Sequence, residues 1–379
     1  MIIYLFLFVI TVALSAGGAK YGAINKYGVH EIRARWALFF SFLVILLFLG
    51  FRYNVGRDYI NYSGDYKYID SSDFGTAFSY YKYEYGYLAL LKIARFLNTG
   101  PQGIFFFSSF VLLVLYFNLF RRRWSLLPVS IFVFFVGSPY VFFINGIRQA
   151  VAVLAFLNAI NSFTYGSQLK KTIGFLAWMA LGVLFHTSLL FFLPFIVFQF
   201  DRVVNIFNSK LLVIIALSGF ILNVLGLSSQ LLPDQELLGT EGYSYGNAFD
   251  STEFDITESV LSIGNVFRLL LLLLPLILYD KIKKVYPEIN IFFISMAIGS
   301  AIFFLFSNNM FTQRMSYYFM FAELLVYPVV SKYCRLHRGK INWWYICSAM
   351  FILLYVVSFT LFYDNQIWPN ARVLGISIN

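Results

Sequence analysis

Charge is scarce in this sequence. Only 12% of its 379 residues are Asp, Glu, Lys or Arg, against about 25% in an ordinary soluble domain. Halving that share, together with the long apolar runs below, means that lipid is the solvent. Cysteine is nearly absent too: Cys334 and Cys347 offer neither a disulfide framework nor metal-ligand spacing. There is no Walker A sequence, GxSxG elbow, HExxH, CxxC pair or DxD-type motif. ATP-driven transport and zinc hydrolysis therefore lack support. The missing DxD argues against a nucleotide-sugar donor and leaves a lipid-phosphate-linked sugar open. No metal and no cofactor is called for, and no internal repeat or separable soluble domain stands out.

What fills the sequence instead is apolar. Sixty per cent of residues are hydrophobic, with a mean hydropathy of +0.74. Runs approaching the roughly 20 residues that cross a bilayer recur from end to end. The pattern predicts an all-α, polytopic transmembrane helical bundle of about twelve spans, forming a single membrane domain over residues 1–379. The spans fall near 2–16, 36–51, 102–120, 126–143, 147–163, 172–186, 188–200, 211–228, 259–279, 288–307, 315–330 and 343–362. The segment at 188–200 is short enough to be tilted or re-entrant. Met1 to Ala16 lacks a basic n-region and reads as a retained first span.

The net charge of +10 sits in short clusters between apolar runs, which writes topology and does not indicate nucleic acid. Placing Lys20, Lys26, Arg33 and Arg35 in the cytoplasm puts Arg121–Arg123, Lys170–Lys171, Arg202 with Lys210, Lys281–Lys284 and Lys332–Lys340 there as well. Both termini then lie outside. Two outer segments are long: 52–101, with an amphipathic interfacial helix over Glu84–Leu97 closed by the Asn98–Thr99–Gly100–Pro101 turn, and the acidic 229–258.

The informative charges defy the positive-inside bias. Arg52, Arg57, Arg148 and Arg314 fall at the outer surface, and Arg268 lies within a span toward its outer half. Arginines at one depth suit planar, bidentate contact with phosphate; headgroup snorkelling is the bland alternative for each one. Asn145, Arg148 and Gln149, spaced i, i+3 and i+4, are expected on one helix face, with Gly146 allowing close approach. His186 alone of the three histidines reaches the outer side. Asp58, Glu84 and His186 are the outer candidates for a base, with the two acids ranked first. Tyr53, Tyr59, Tyr62, Tyr85 and Tyr87 are candidates for stacking on sugars, and interfacial belt aromatics are the alternative.

Four blocks of residues resemble the EpsG-type branch of Wzy polysaccharide polymerases. They are Arg52-Tyr53-Asn54-Val55-Gly56-Arg57-Asp58-Tyr59-Ile60-Asn61-Tyr62 with Tyr83-Glu84-Tyr85-Gly86-Tyr87; Asn145-Gly146-Ile147-Arg148-Gln149-Ala150-Val151-Ala152; Phe185-His186-Thr187-Ser188; and, more weakly, Gln313-Arg314-Met315-Ser316-Tyr317-Tyr318. The resemblance implies a GT-C-like membrane bundle with short helices in its outer loops. It implies transfer of a growing glycan from undecaprenyl diphosphate onto an incoming lipid-linked oligosaccharide repeat, at the outer face of a bacterial cytoplasmic membrane. O-antigen, capsule or exopolysaccharide assembly would follow, with a flippase and a chain-length regulator as partners beside the membrane lipid. On this reading Arg148 and Arg314 bind diphosphate, with Arg52, Arg57 and Arg268 as further ligands. An O-antigen ligase or another lipid-phosphate-dependent glycosyltransferase is the near rival. A lipid-linked oligosaccharide flippase is the rival of another class, disfavoured because it would need charge through the depth of a central cavity.

Overall fold

A computed structural model of the chain describes residues 2–19, 29–56, 58–69, 83–228, 260–307 and 310–337. Arg57, the acidic segment 229–258 and the expected last span at 343–362 lie outside the described residues. Among those described, every regular element is helical. The helices are α1 (Ile2–Gly18), α2 (Val29–Gly50), α3 (Tyr59–Tyr68), α4 (Tyr85–Phe96), α5 (Gln102–Leu119), α6 (Leu127–Val136), α7 (Ser138–Asn145), α8 (Ile147–Asn161) and α9 (Gln168–Val183), followed by α10 (Ser209–Val224), α11 (Ile263–Ile277), α12 (Tyr279–Val285), α13 (Asn290–Leu305), α14 (Met310–Met320) and α15 (Glu323–Leu336).

Each expected span that falls on described residues is helical, yet few of these helices are long. Arg33–Gly50, Gln102–Leu119 and Pro287–Leu305 are long and apolar enough to cross a membrane, and Trp124–Val136 with Pro139–Asn145, bent by 64°, makes a fourth if counted as one span. The segment expected at 188–200 is a 3-10 stretch, Thr187–Gln199, with Pro194 inside it. At about 2.0 Å per residue, its 13 residues extend further than an α-helix of equal length. Large apolar side chains such as Phe6, Trp36, Phe39, Phe40, Leu47, Phe191 and Ile214 are exposed, as expected of surfaces that face hydrocarbon.

Internal contacts gather into two compact units. The first comprises Met1–Ala159, Ile173–Leu193 and Tyr327–Asn379; the second comprises Ile160–Thr172 and Pro194–Val326. In the first unit, α8 is wrapped by protein: Ala150 to Leu157 are all fully buried. Gly182 of α9 lies against Ala155 and Ala152, so small residues let the two backbones approach, the usual device where lipid gives helices no hydrophobic drive to associate. Asn158 of α8 donates to the carbonyls of Leu115 and Leu154 and accepts from Asn118 of α5, which satisfies a buried amide between helices. In the second unit, α10 meets α13 at Gly219 against Ala301, α13 meets α14 at Gly299, and Asn223 donates to Leu305 O at 2.8 Å.

Candidate functional site

The first unit brings three of the motif blocks into one cluster, and glycines set two of the contacts. Gly86, the second residue of α4, donates its N–H to Leu184 O at 2.6 Å. A Cβ there would lie 2.7 Å from that oxygen and 2.8 Å from the Phe185 ring. No side chain larger than hydrogen fits without displacing the backbone. Gly56, at φ +97°, would likewise drive a Cβ to 2.8 Å from Asn145 Oδ1. The first pairing carries Glu84 to His186, and the second carries the Arg52–Tyr62 block to Asn145–Arg148.

α4 forms because its apolar residues recur on one side: Tyr87, Leu88, Leu90, Leu91 and Ala94 are buried, while Tyr85, Ile93 and Phe96 are exposed. It stops where expected, with Asn98 at φ 50° and Gly100 at φ 69°. Glu84 takes the N-cap position with extended backbone (φ −65°, ψ 147°), at the positive end of the helix.

Glu84 is the hub. Its Oε2 receives Arg148 Nη1 at 2.8 Å and its Oε1 meets His186 Nδ1 at 2.9 Å, with the Glu84 side chain 7% exposed and those of Arg148 and His186 22% and 24%. Burial alone would raise the Glu84 carboxyl, but the hydrogen bond from His186 and the charge of Arg148 hold the carboxyl below its usual value. The guanidinium of Arg148 lies over two aromatic rings, with Cζ 4.9 Å from the Tyr83 centroid and 5.6 Å from that of Tyr87. Both tyrosine hydroxyls donate to Asp65 of α3, Tyr83 to Oδ1 at 2.7 Å and Tyr87 to Oδ2 at 2.8 Å.

A second set of bonds holds the chain just before Arg148. Asn145 ends α7 and Ile147 begins α8, so the expected single helix face over Asn145, Arg148 and Gln149 is interrupted at Gly146. The break exposes a carbonyl at the end of one helix and an N–H at the start of the next. One hydroxyl serves both: Tyr62 donates to Asn145 O at 2.8 Å and accepts from Ile147 N at 3.2 Å. Burial pushes the Tyr62 phenol up to about 12, so it keeps the proton it donates.

Arg52 behaves differently from the expectation for a phosphate ligand. It is buried, donates to Leu49 O at 3.4 Å and to Ile144 O at 3.2 Å, and lies 4.8 Å above the Phe105 ring. Those carbonyls belong to the last turns of α2 and α7, where helix dipoles place partial negative charge. Burial lowers its pKa to about 10, so it remains a cation at neutral pH, answered by two helix ends. Its Nε has no partner. Tyr59, expected to stack on sugar, is buried with its ring flat on Phe105 at 4.5 Å; Tyr53 and Tyr85 are exposed and Gln149 is buried. Asp58 is half-buried at the N-cap of α3. Arg268 and Arg314 belong to the second unit. There Arg268 lies 4.2 Å over the Phe303 ring, and Arg314 is exposed on α14.

Sequence reasoning missed Asp65 and the part played by Tyr83. Asp65 had one local signal, an acid between Tyr62 and Tyr66 on a short polar helix, but its partners come from 18 and 22 residues away. Among the described residues no group of three or more His, Cys, Asp or Glu is arranged to hold a metal ion.

Comparison with curated proteins and with solved structures gave no match. The EpsG family matches residues 35–371, a stretch that contains every block described above and nearly the whole chain. This chain belongs to the EpsG family.

Proposed function

We propose that the protein is a Wzy-type polymerase. It transfers a growing glycan from undecaprenyl diphosphate onto the non-reducing sugar of an incoming lipid-linked repeat, at the outer face of the cytoplasmic membrane. Membership of the EpsG family supports a polysaccharide polymerase. The observation that carries the chemistry is the Arg148–Glu84–His186 chain, assembled from three separate sequence blocks.

In the transfer, the bond from the anomeric carbon to the diphosphate breaks and its electron pair stays on the departing phosphate oxygen. The acceptor hydroxyl oxygen bonds to that carbon and gives up its proton. Arg148 faces the developing negative charge, in a partly buried setting where a preorganised cation is most effective. His186 takes the proton. With Nδ1 held on Glu84, Nε2 is the nitrogen left to take it. Glu84 orients and stabilises the imidazolium that results, the division of labour seen in carboxylate–histidine pairs generally. This ordering moves His186 ahead of Glu84, because both Glu84 oxygens are already engaged. The shorter helices fit a multi-pass arrangement as tilted or paired segments, with α4 lying at the interface.

The test is elongation by the purified full-length protein on lipid-diphosphate-linked repeats. Arg148→Ala and His186→Ala are each expected to reduce polymer by about 100-fold or more. Wild-type chain lengths from either variant would overturn the assignment. In cells, loss of polymerisation leaves single repeats on the final carrier. Absence of any attached repeat would indicate a ligase, and repeats trapped on the inner leaflet would indicate a flippase.

A further inference from the structure

Asp65 has no part in the transfer as written, yet it stands directly behind the group that does. Each of its carboxylate oxygens accepts from one tyrosine hydroxyl, Oδ1 from Tyr83 and Oδ2 from Tyr87. The two rings meet edge to face with centroids 5.4 Å apart, and both lie under the guanidinium of Arg148. Three separate elements therefore converge on one cation: α3 through Asp65, the residue before Glu84 through Tyr83, and α4 through Tyr87.

We propose that Asp65 is a positioning residue for Arg148: through the Tyr83 and Tyr87 hydroxyls it fixes the aromatic seat on which the guanidinium lies. The phosphate-binding group is then aimed by two carboxylates, Glu84 at its edge and Asp65 through the rings beneath its face. This rests on the reading of Arg148 as the diphosphate ligand.

Two physical effects favour the arrangement. A tyrosine anchored at its hydroxyl cannot swing about its side-chain torsions, so two anchored rings set edge to face form a fixed corner against which the guanidinium rests. A phenol that donates to a carboxylate also carries more electron density in its ring, which strengthens the attraction of that face for a cation. Both hydroxyls remain donors through the neutral range, since burial first and the Asp65 carboxylate next push the Tyr83 and Tyr87 phenols upward. A guanidinium held between Glu84 and the two rings presents its N–H fork to a diphosphate in one orientation, which an ammonium cannot do.

The experiment is a double-mutant cycle on binding of undecaprenyl diphosphate to the full-length protein in detergent. Arg148→Lys alone should weaken binding by about tenfold or more. Asp65→Asn should weaken it about fivefold to tenfold when Arg148 is present, and by less than about twofold in the Arg148→Lys background. The pair Tyr83→Phe with Tyr87→Phe keeps both rings and removes both hydroxyls. It should reproduce the Asp65→Asn loss, with Asp65→Asn adding nothing further, and it carries the same test if Asp65→Asn does not yield a monodisperse protein. Equal losses from Asp65→Asn in both Arg148 backgrounds, or no loss at all, would overturn the inference while leaving Arg148 as the ligand. If Arg148→Lys binds as tightly as wild type, the reading of Arg148 itself fails and takes the inference with it.

Discussion

Replacing Gly86 by alanine is a small change with opposed consequences, and the structure decides between them. Gly86 is the second residue of α4 and its φ is not in the left-handed region. Intrinsic helix propensity therefore favours alanine by about 0.5–1 kcal/mol. Against that, the new methyl would lie 2.7 Å from Leu184 O and within 2.9 Å of the Phe185 ring. A backbone oxygen cannot rotate aside as a side chain can. Overpacking of this kind costs about 1–3 kcal/mol, and the Gly86 N–H bond to Leu184 O, lost as the helix shifts, about 0.5–1.5 kcal/mol more. Alanine should thus destabilise the first unit by about 1–3 kcal/mol net. The same shift pulls Glu84 from His186, since the two contacts are two residues apart on both strands of chain. Thermal unfolding in detergent, together with elongation activity on the folded fraction, measures both effects. A variant as stable as wild type and fully active would refute the close approach as the device that joins these blocks.

Tyr62→Phe leaves Asn145 O and Ile147 N without their shared partner; it should cost about 2–4 kcal/mol in a denaturant or thermal unfolding experiment, because two buried backbone groups go unsatisfied. Arg52→Lys should lower stability by about 1–3 kcal/mol, since one ammonium cannot reach both helix-end carbonyls as the guanidinium does. Glu84→Gln tests the pH dependence. The folded carboxyl is held below its usual value, so the stabilisation it provides is full above the unfolded value of about 4.3 and disappears as pH falls through the lower folded value. The stability gap between wild type and Glu84→Gln, followed by unfolding across the acid range, should close in that window; a gap that widens there would contradict the ion pair.

The helices were legible because hydropathy and period report them directly, and α4 with its Asn98–Gly100 stop was legible from amphipathicity and turn chemistry. How many helices span was less so. An apolar run records that a side chain avoids water, and α8, buried on all sides by protein, reads the same as a lipid-facing helix. In the site, the blocks that resemble the family did name Glu84, Arg148 and His186, but not how open each arginine stands. Arg52 and Arg148 are the same residue type at the same expected depth, yet one is buried against helix-end carbonyls and the other sits partly open on tyrosines. That difference is tertiary. Asp65 escaped notice for the same reason, since its chemistry exists only once α3 and α4 pack together.

An experimental structure with undecaprenyl diphosphate bound tests the central claim most directly. The account predicts a phosphate oxygen within hydrogen-bonding distance of the Arg148 guanidinium, with Glu84 still joined to His186. A diphosphate bound elsewhere, with the Arg148–Glu84–His186 chain turned away from it, would contradict the account.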